Sequence, residues 1–280
     1  MHCVIIGFAA APPPVRRLFE YEAIDGPPHE SACSNINAYL IDAPDVFLTN
    51  RSTPIDAVPA MRYGSMPRDD GHLNLSQTER DSVLQREPEL EPWIRLFLGA
   101  HELINNQKRY CLWLVGAPPH LLAQSAFLRT RLKAVQEFRQ RSKAESTRRF
   151  AATPTLFCQI AQPDGEYVLV PRHSSENRRF IPMAFFGQEN IVADSCLSVG
   201  GATLFHFGVL SSTMHNAWVR YTCGRLESRY RYSKNIVYNN FPWPESPTDA
   251  QRAAIESAAQ AVLDTRVSSP VPRLPTSTTR

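Results

Sequence analysis

A chain of 280 residues that is 43% hydrophobic and 20% charged has the composition of a soluble globular protein, with material for one large domain or two modest ones. Its net charge of +3 does not by itself imply a nucleic-acid partner. Six scattered cysteines (Cys3, Cys33, Cys111, Cys158, Cys196, Cys223) form no C-x-x-C pair, which argues against a zinc site or a disulfide framework and for reduced thiols in the cytoplasm.

The longest apolar run, near Val4 to Ala11, is too short to span a bilayer and lacks the basic flank of a signal peptide. Within it, Cys3 to Phe8 (CVIIGF) reads as a strand of the kind buried on both faces of a parallel sheet, ended by Ala9 to Pro14. Residues 15–75 read as loops and short strands, with a clear turn at Asp69-Asp70-Gly71. Ser76 with Glu79 forms a capping box that opens a helix punctuated by Pro88 and Pro92. Trp93 to Leu98 reads as a short helical stretch and Tyr110 to Val115 as a strand. From Pro119 to about Lys143 the pattern is helical, with an apolar stripe from Leu121 to Phe138 and basic residues on the other faces.

Residues 151–210 look β-rich, with runs at Thr155 to Ile160, Tyr167 to Val170, Phe180 to Met183, Asn190 to Ala193 and Ala202 to Leu210. Ser211 to Cys223 fits a helix, with Ser212 or Thr213 near its cap and Gly224 just past its end. Phe241 to Pro244 stops regular structure. Thr248 and Gln251 cap a last helix, Asp249 to Arg266, and Val267 to Arg280 reads as disordered.

Basicity is local. From Arg129 to Arg149 there are eight Lys/Arg against two Glu, a net of +6, and from Trp218 to Lys234 five against one, a net of +4. Such patches form an electrostatic footprint for phosphates, although an ordinary solvated helix face explains the first equally well. The second holds Gly224 to Ser233 (GRLESRYRYS), with Arg225, Arg229, Arg231, Tyr230 and Tyr232 around the single carboxylate of Glu227. Arginine grips guanine through paired hydrogen bonds, and glutamate accepts from the cytosine amino group. In an extended segment Glu227 and Arg229 share a face and suit one G·C pair. A solvated strand with cross-strand ion pairs is the competing account.

The chain offers no complete active site. Gly200-Gly201 is a weak glycine signal, and there is no Asn-Pro-Pro-aromatic tetrapeptide and no nuclease-type carboxylate cluster. His173 to Glu176 reads as a turn rather than a catalytic group. His206 reads as a satisfied core histidine, and His215 as surface packing.

Ten segments resemble the MmeI family of type II restriction-modification enzymes, whose members fuse an endonuclease, an adenine-N6 DNA methyltransferase and a target recognition domain. They are VIIGF (4–8), LFEYEAIDG (18–26), NINAYLIDAPDV (35–46), LNLS (73–76), RYCLWL (109–114), PRHSSENRRFIP (171–182), ATLFHFGVLSS (202–212), HNAWVR (215–220), GRLESRYRYS (224–233) and IVYNNFPWP (236–244). The resemblance implies an α+β fold: a β-rich target recognition domain with inserted helices over 15–244, and a helical region beginning at 245–266. Residues 1–14 are then the remnant of the last methyltransferase strand, and 267–280 a disordered tail.

Family members use S-adenosylmethionine, and Mg for cleavage, through motifs placed before VIIGF. The expectation for this chain is no cofactor, no metal site and no transfer by itself. The resemblance implies double-stranded DNA as partner and assigns base reading to six residues. Glu227 and Arg229 match a pair reading one C·G base pair. Arg172 and Asp194 match a second pair, suited to a G, and Ser195 and Arg231 a third. Arg129, Arg131, Lys133, Arg225 and Lys234 are the expected phosphate contacts.

Other readings are a specificity subunit docking on a separate methyltransferase chain, a methyltransferase whose catalytic half is another polypeptide, and the product of a decayed gene. For the last, Pro270 to Thr279 (PVPRLPTSTT) can be written in codons which, read two nucleotides on, encode RASLADLYD, the type of run found in the family; the tail is then a reading-frame product.

Overall fold

The computed structural model describes residues 4–268 apart from 12 and 24, and the chain divides into two units, Met1–Thr49 and Asn50–Arg280. In the first, the apolar run from Val4 to Phe8 does not form the expected strand. Its side chains stand in solvent (Ile5 97% and Phe8 92% exposed). A strand needs a ladder partner for its N–H and C=O groups, and among the described residues none pairs with it. Strands β1 (Arg16–Glu20) and β2 (His29–Cys33) form an antiparallel hairpin, with Arg17 and Glu30 paired at 3.3 Å. Asp42 then gathers the N–H groups of Ser34 and Asn35 at 3.0 Å each, and these bonds, that of Asn35 foremost, hold its carboxyl below the usual carboxylate range.

The second unit begins its regular structure with β3 (Met61–Tyr63), β4 (Asn74–Leu75) and α1 (Gln77–Arg86). Ser76 and Glu79 close the expected capping box on α1. A 3-10 turn over Pro88–Trp93 leads not to a helix but to strand β5 (Ile94–Leu98). Six apolar-rich residues are too short for periodicity to separate the two states; here β5 finds ladder partners on both sides. Next come α2 (Ala100–Asn105), β6 (Tyr110–Leu112), α3 (Pro119–Gln124), α4 (Ala126–Arg141) and α5 (Glu145–Arg148). The long helical stretch expected from Pro119 is thus broken at Ser125. Its hydroxyl accepts from Leu128 N–H at 3.0 Å as the N-cap of α4 and donates to Glu87. Arg139 departs from the solvated basic face. It is fully buried and donates to the carbonyls of Arg68, Phe150, Thr153, Pro67 and Leu156 at 2.8–3.1 Å.

The β-rich part contains β7 (Tyr167–Pro171), β8 (His173–Ser174), β9 (Ala184–Phe186), β10 (Ile191–Val192) and β11 (Cys196–Gly200). Two expected strands are absent. Gln159 makes only an isolated bridge to Met66, and Ile181 N–H is taken by the Asn216 side chain at 2.9 Å. His173 and Ser174 pair as a strand, and the turn expected there starts only at Glu176. Ala202 to Leu210 is a helix, α6 (Leu204–Leu210), not a strand. It is apolar on nearly every face because it lies inside the core against the last helix. A Cβ on Gly208 would stand 2.7 Å from Ile255, so the two helices approach as closely as glycine allows.

Helix α7 (Thr213–Thr222) is capped by Ser212 and ends before Gly224, as expected. Strands β12 (Gly224–Leu226) and β13 (Arg229–Arg231) follow, then an unanticipated π-helical turn over Lys234–Tyr238 and the irregular Phe241 to Pro244. The last helix, α8 (Asp249–Ser268), starts on the reciprocal Thr248–Gln251 bonds and runs two residues beyond Arg266. The tail beyond it lies outside the described residues.

Among the described residues of the second unit three sheets result, ordered β10-β5-β6-β4, β3-β11-β7-β9 and β12-β13-β8, and of their strand pairs only β10–β5 is parallel. One hydrophobic cluster joins β3, β7 and β11 to α6, α7, α8 and the Val237–Trp243 segment. Another joins β4, β5 and β6 to α1, α3 and α4. The α+β expectation is met. No helix among the described residues is long and apolar enough to cross a membrane.

Candidate nucleic-acid interface

Within the +4 segment, Gly224 to Arg231 fold as a hairpin on the edge of the first cluster. Strand alternation buries Tyr230 and Tyr232 and leaves Arg229 and Arg231 on the exposed face. Glu227 is not part of that alternation. It sits in the turn between β12 and β13 in the left-handed region (φ 57°). Its carboxylate still meets Arg229 at 2.6 Å, with the two side chains 72% and 56% exposed. Turn geometry, not the pleat, makes this pair. Arg225 locks the hairpin, lying 4.1 Å over the Tyr230 ring and donating to the carbonyls of Ser228 and Arg220. Ser228 in turn donates to Glu176 at 2.6 Å, tying the turn to the segment after β8.

Strand β8 extends the hairpin, with His173 opposite Arg231. Burial, then the charges of Arg172, Arg231 and Arg229, push the His173 imidazole below its ordinary range. His173 thus lies next to Arg172 in the chain and across the ladder from Arg231, two of the arginines expected to read bases. Arg172 occupies the bend between β7 and β8 and is the hub of the arrangement. Its carbonyl accepts from Tyr232 N–H at 2.8 Å, its N–H donates to the Ser195 carbonyl at 3.1 Å, and its guanidinium donates to the Asp194 carbonyl at 2.9 Å. Asp194 and Ser195 are held in turn by the chain after β3, where Asp194 N–H donates to the Ser65 carbonyl at 3.0 Å. Gly64 makes this approach possible, since a Cβ there would fall 2.2 Å from the Ala193 carbonyl oxygen.

Arg172, Asp194, Ser195, Arg229 and Arg231 thus occupy one neighbourhood, with Glu227 at its tip. Within it, Ser195 differs from the rest. Its hydroxyl accepts from Ala100 N–H at 3.1 Å at the start of α2, and among the hydrogen bonds of the described residues none joins it to Arg231.

The expected phosphate contacts divide. Arg131 pairs with Glu79 at 2.6 Å and rests on Phe127, Arg129 donates to the Ala123 carbonyl, and Arg225 is engaged in the hairpin. Lys133 is exposed, and neither it nor Lys234 makes an ion pair or side-chain hydrogen bond among the described residues. Lys234 lies 5.9 Å over the Tyr63 ring, as Arg172 does at 5.0 Å.

Beneath the arginines lies His215, which is fully buried rather than on the surface. Its Nε2 is 2.9 Å from the Tyr232 hydroxyl, and the Phe241 ring meets it edge-on at 4.5 Å. Burial pushes its imidazole down to about 3. In the unfolded chain this group takes up its proton near pH 6.5, so acidification below that value favours unfolding until both forms are protonated near pH 3. Between pH 7 and pH 5 the protein is expected to lose about 2 kcal/mol from this residue. Urea unfolding at both pH values, beside His215→Gln, checks this; an unchanged difference in the variant contradicts it.

Tyr63, His173, His215 and Glu176 escaped sequence reasoning as members of the site. Only the PRHSSE run carried a signal for two of them.

The family described as the MmeI target recognition domain matches residues 42–245. DNA methyltransferase A of Bacillus subtilis (strain 168) is 34% identical over 263 residues, which are 94% of this chain and 29% of that protein. A solved structure of the type IIL restriction-modification enzyme MmeI in complex with DNA shares 44% identity at a TM-score of 0.85, over 93% of this chain and 35% of that one. The chain spans about a third of the length of these relatives. The fold agrees with that match, and the chain belongs to the MmeI target recognition domain family.

Proposed function

We propose that the chain reads a short sequence in double-stranded DNA, as the recognition part of a restriction-modification adenine-N6 methyltransferase. The observation that carries this is the three-stranded edge on which Arg231 stands opposite His173 and the Arg172 carbonyl accepts from Tyr232 N–H at 2.8 Å, with the Glu227 carboxylate at 2.6 Å from Arg229. Guanidinium to guanine and carboxylate to the cytosine amino group is the complementarity of one C·G pair. In this reading Glu227 and Arg229 share one base pair, Arg172 and Asp194 a second, and Arg231 with Ser195 a third. Residues 15–244 act as the recognition domain, and 245–266 open a helical region.

Lys133 and Lys234, which make no ion pair or side-chain hydrogen bond among the described residues, are the foremost phosphate contacts, Lys234 from beside the Tyr63 ring. Arg129, Arg131 and Arg225 add charge while holding internal partners. Replacing Lys133 and Lys234 with Gln is expected to weaken binding on all sequences alike and to lower the slope of log K against log salt by about one per lost contact. A loss confined to one base position contradicts the phosphate role.

Selection of the 280-residue chain on randomised duplexes tests the function. The expected result is enrichment of one defined site. Recovery of all sequences alike, or of none, overturns it.

A further inference from the structure

The aromatic ring of Tyr63 lies where two elements of the interface meet. Tyr63 ends β3, paired with Leu197 of β11, and its ring packs partly buried against the first hydrophobic cluster. The Arg172 guanidinium stands 5.0 Å from its centroid, and the Lys234 ammonium 5.9 Å. The next two residues fix its backbone. Gly64 N–H donates to the Cys196 carbonyl at 3.1 Å and Ser65 N–H to Val192 at 2.7 Å, and no side chain fits at Gly64. The ring is therefore a rigid wall. Both cations sit on long side chains with many rotamers, and among the described residues the Arg172 guanidinium makes one hydrogen bond, to the Asp194 carbonyl.

We infer that Tyr63 is a positioning residue for specificity: its ring holds the Arg172 guanidinium at the angle from which it meets a base edge, and steadies Lys234 beside it. The inference rests on the reading of Arg172 as a base-contacting residue. A planar guanidinium stacks on an aromatic face while its N–H fork stays free in the plane. The ring thus restricts Arg172 without consuming the donors that a guanine O6 and N7 would take. Lys234, a point charge, gains only placement. The ring's contribution accordingly falls on one base pair and not on the pair assigned to Glu227 and Arg229.

The test measures base preference position by position on duplexes for the 280-residue chain and for Tyr63→Phe, Tyr63→Leu and Arg172→Ala, with thermal unfolding alongside. Tyr63→Leu is expected to lower discrimination about tenfold at the base pair sensitive to Arg172→Ala, and to leave the other positions within about twofold. Tyr63→Phe, which keeps the ring face, is expected to retain that discrimination. Should the Leu variant unfold, phenylalanines of increasing fluorination at position 63 keep the shape and remove the negative ring face. Discrimination then falls in step with fluorination, which a merely space-filling ring would not produce. If Arg172→Ala alters one position and the Tyr63 series alters none, or alters all equally, the inference is overturned. If Arg172→Ala alters no base preference, the base-reading assignment of Arg172 fails first and the inference with it.

Discussion

Replacing Glu227 with Lys and Arg229 with Asp together is expected to reverse the preferred base pair at one position of the recognition site. The two side chains form one unit, joined at 2.6 Å and largely exposed, with the acceptor on the turn and the donor on the first residue of β13. Exchanging their chemistry exchanges donor and acceptor order across a base pair. A good bidentate contact is worth ~1–3 kcal/mol of discrimination, so the shift is roughly ten- to hundredfold. Glu227→Lys alone leaves two cations side by side and weakens binding to the original site. Neither change is expected to alter thermal stability much, because an exposed ion pair contributes roughly 0–1 kcal/mol. Position 227 already holds a non-glycine residue at positive φ, so Lys adds little backbone strain. Competition binding with single-position duplex variants checks the result; unchanged preference at every position contradicts it.

Arg139→Leu is expected to be the most destabilising simple substitution in the chain. Five carbonyls converge on one fully buried guanidinium, and they belong to three stretches, Pro67–Arg68, Phe150–Thr153 and Leu156. Leucine leaves the carbonyls of Pro67, Arg68 and Leu156 without that donor in a buried site, while those of Phe150 and Thr153 keep the N–H groups of Thr153 and Leu156. Leaving one buried acceptor unsatisfied costs roughly 1–3 kcal/mol, so a total on the order of 3 kcal/mol or more follows even after relaxation. Lysine has fewer donors and no planar fork, and is expected to rescue only part. Arg141, two residues on and 80% exposed in its pairing with Glu137 at 3.8 Å, is the control; Arg141→Leu changes stability little. Thermal or urea unfolding of the three variants decides the matter, and equal effects at 139 and 141 refute it.

Arg139 also shows why part of the chain was not legible. In a run with a net charge of +6, nothing local marks one arginine as the anchor of three loops; only the folded backbone supplies its carbonyls. The helix ends were legible because their determinants are local. Ser76 with Glu79, Ser212 and Thr248 with Gln251 all cap as their sequence suggests. Trp93 to Leu98 and Ala202 to Leu210 were read in the wrong state for one shared reason. A short run buried on all sides shows no period, and its state is set by whether a ladder partner or a packing helix lies beside it. Glu227 was placed beside Arg229 correctly but through the wrong geometry, a pleat in place of a turn. The neighbourhood of Arg172, Asp194 and Ser195 depends on contacts from residues as distant as Ser65 and Tyr232, beyond the reach of spacing.

A crystal structure of the chain bound to its selected duplex tests the central claim most directly. The expected result is the β12–β13 hairpin in the major groove, with Arg229 donating to guanine O6 and N7 and Glu227 accepting from the cytosine amino group of the same pair. A complex in which the hairpin lies away from the base edges, with other residues in the groove, contradicts it.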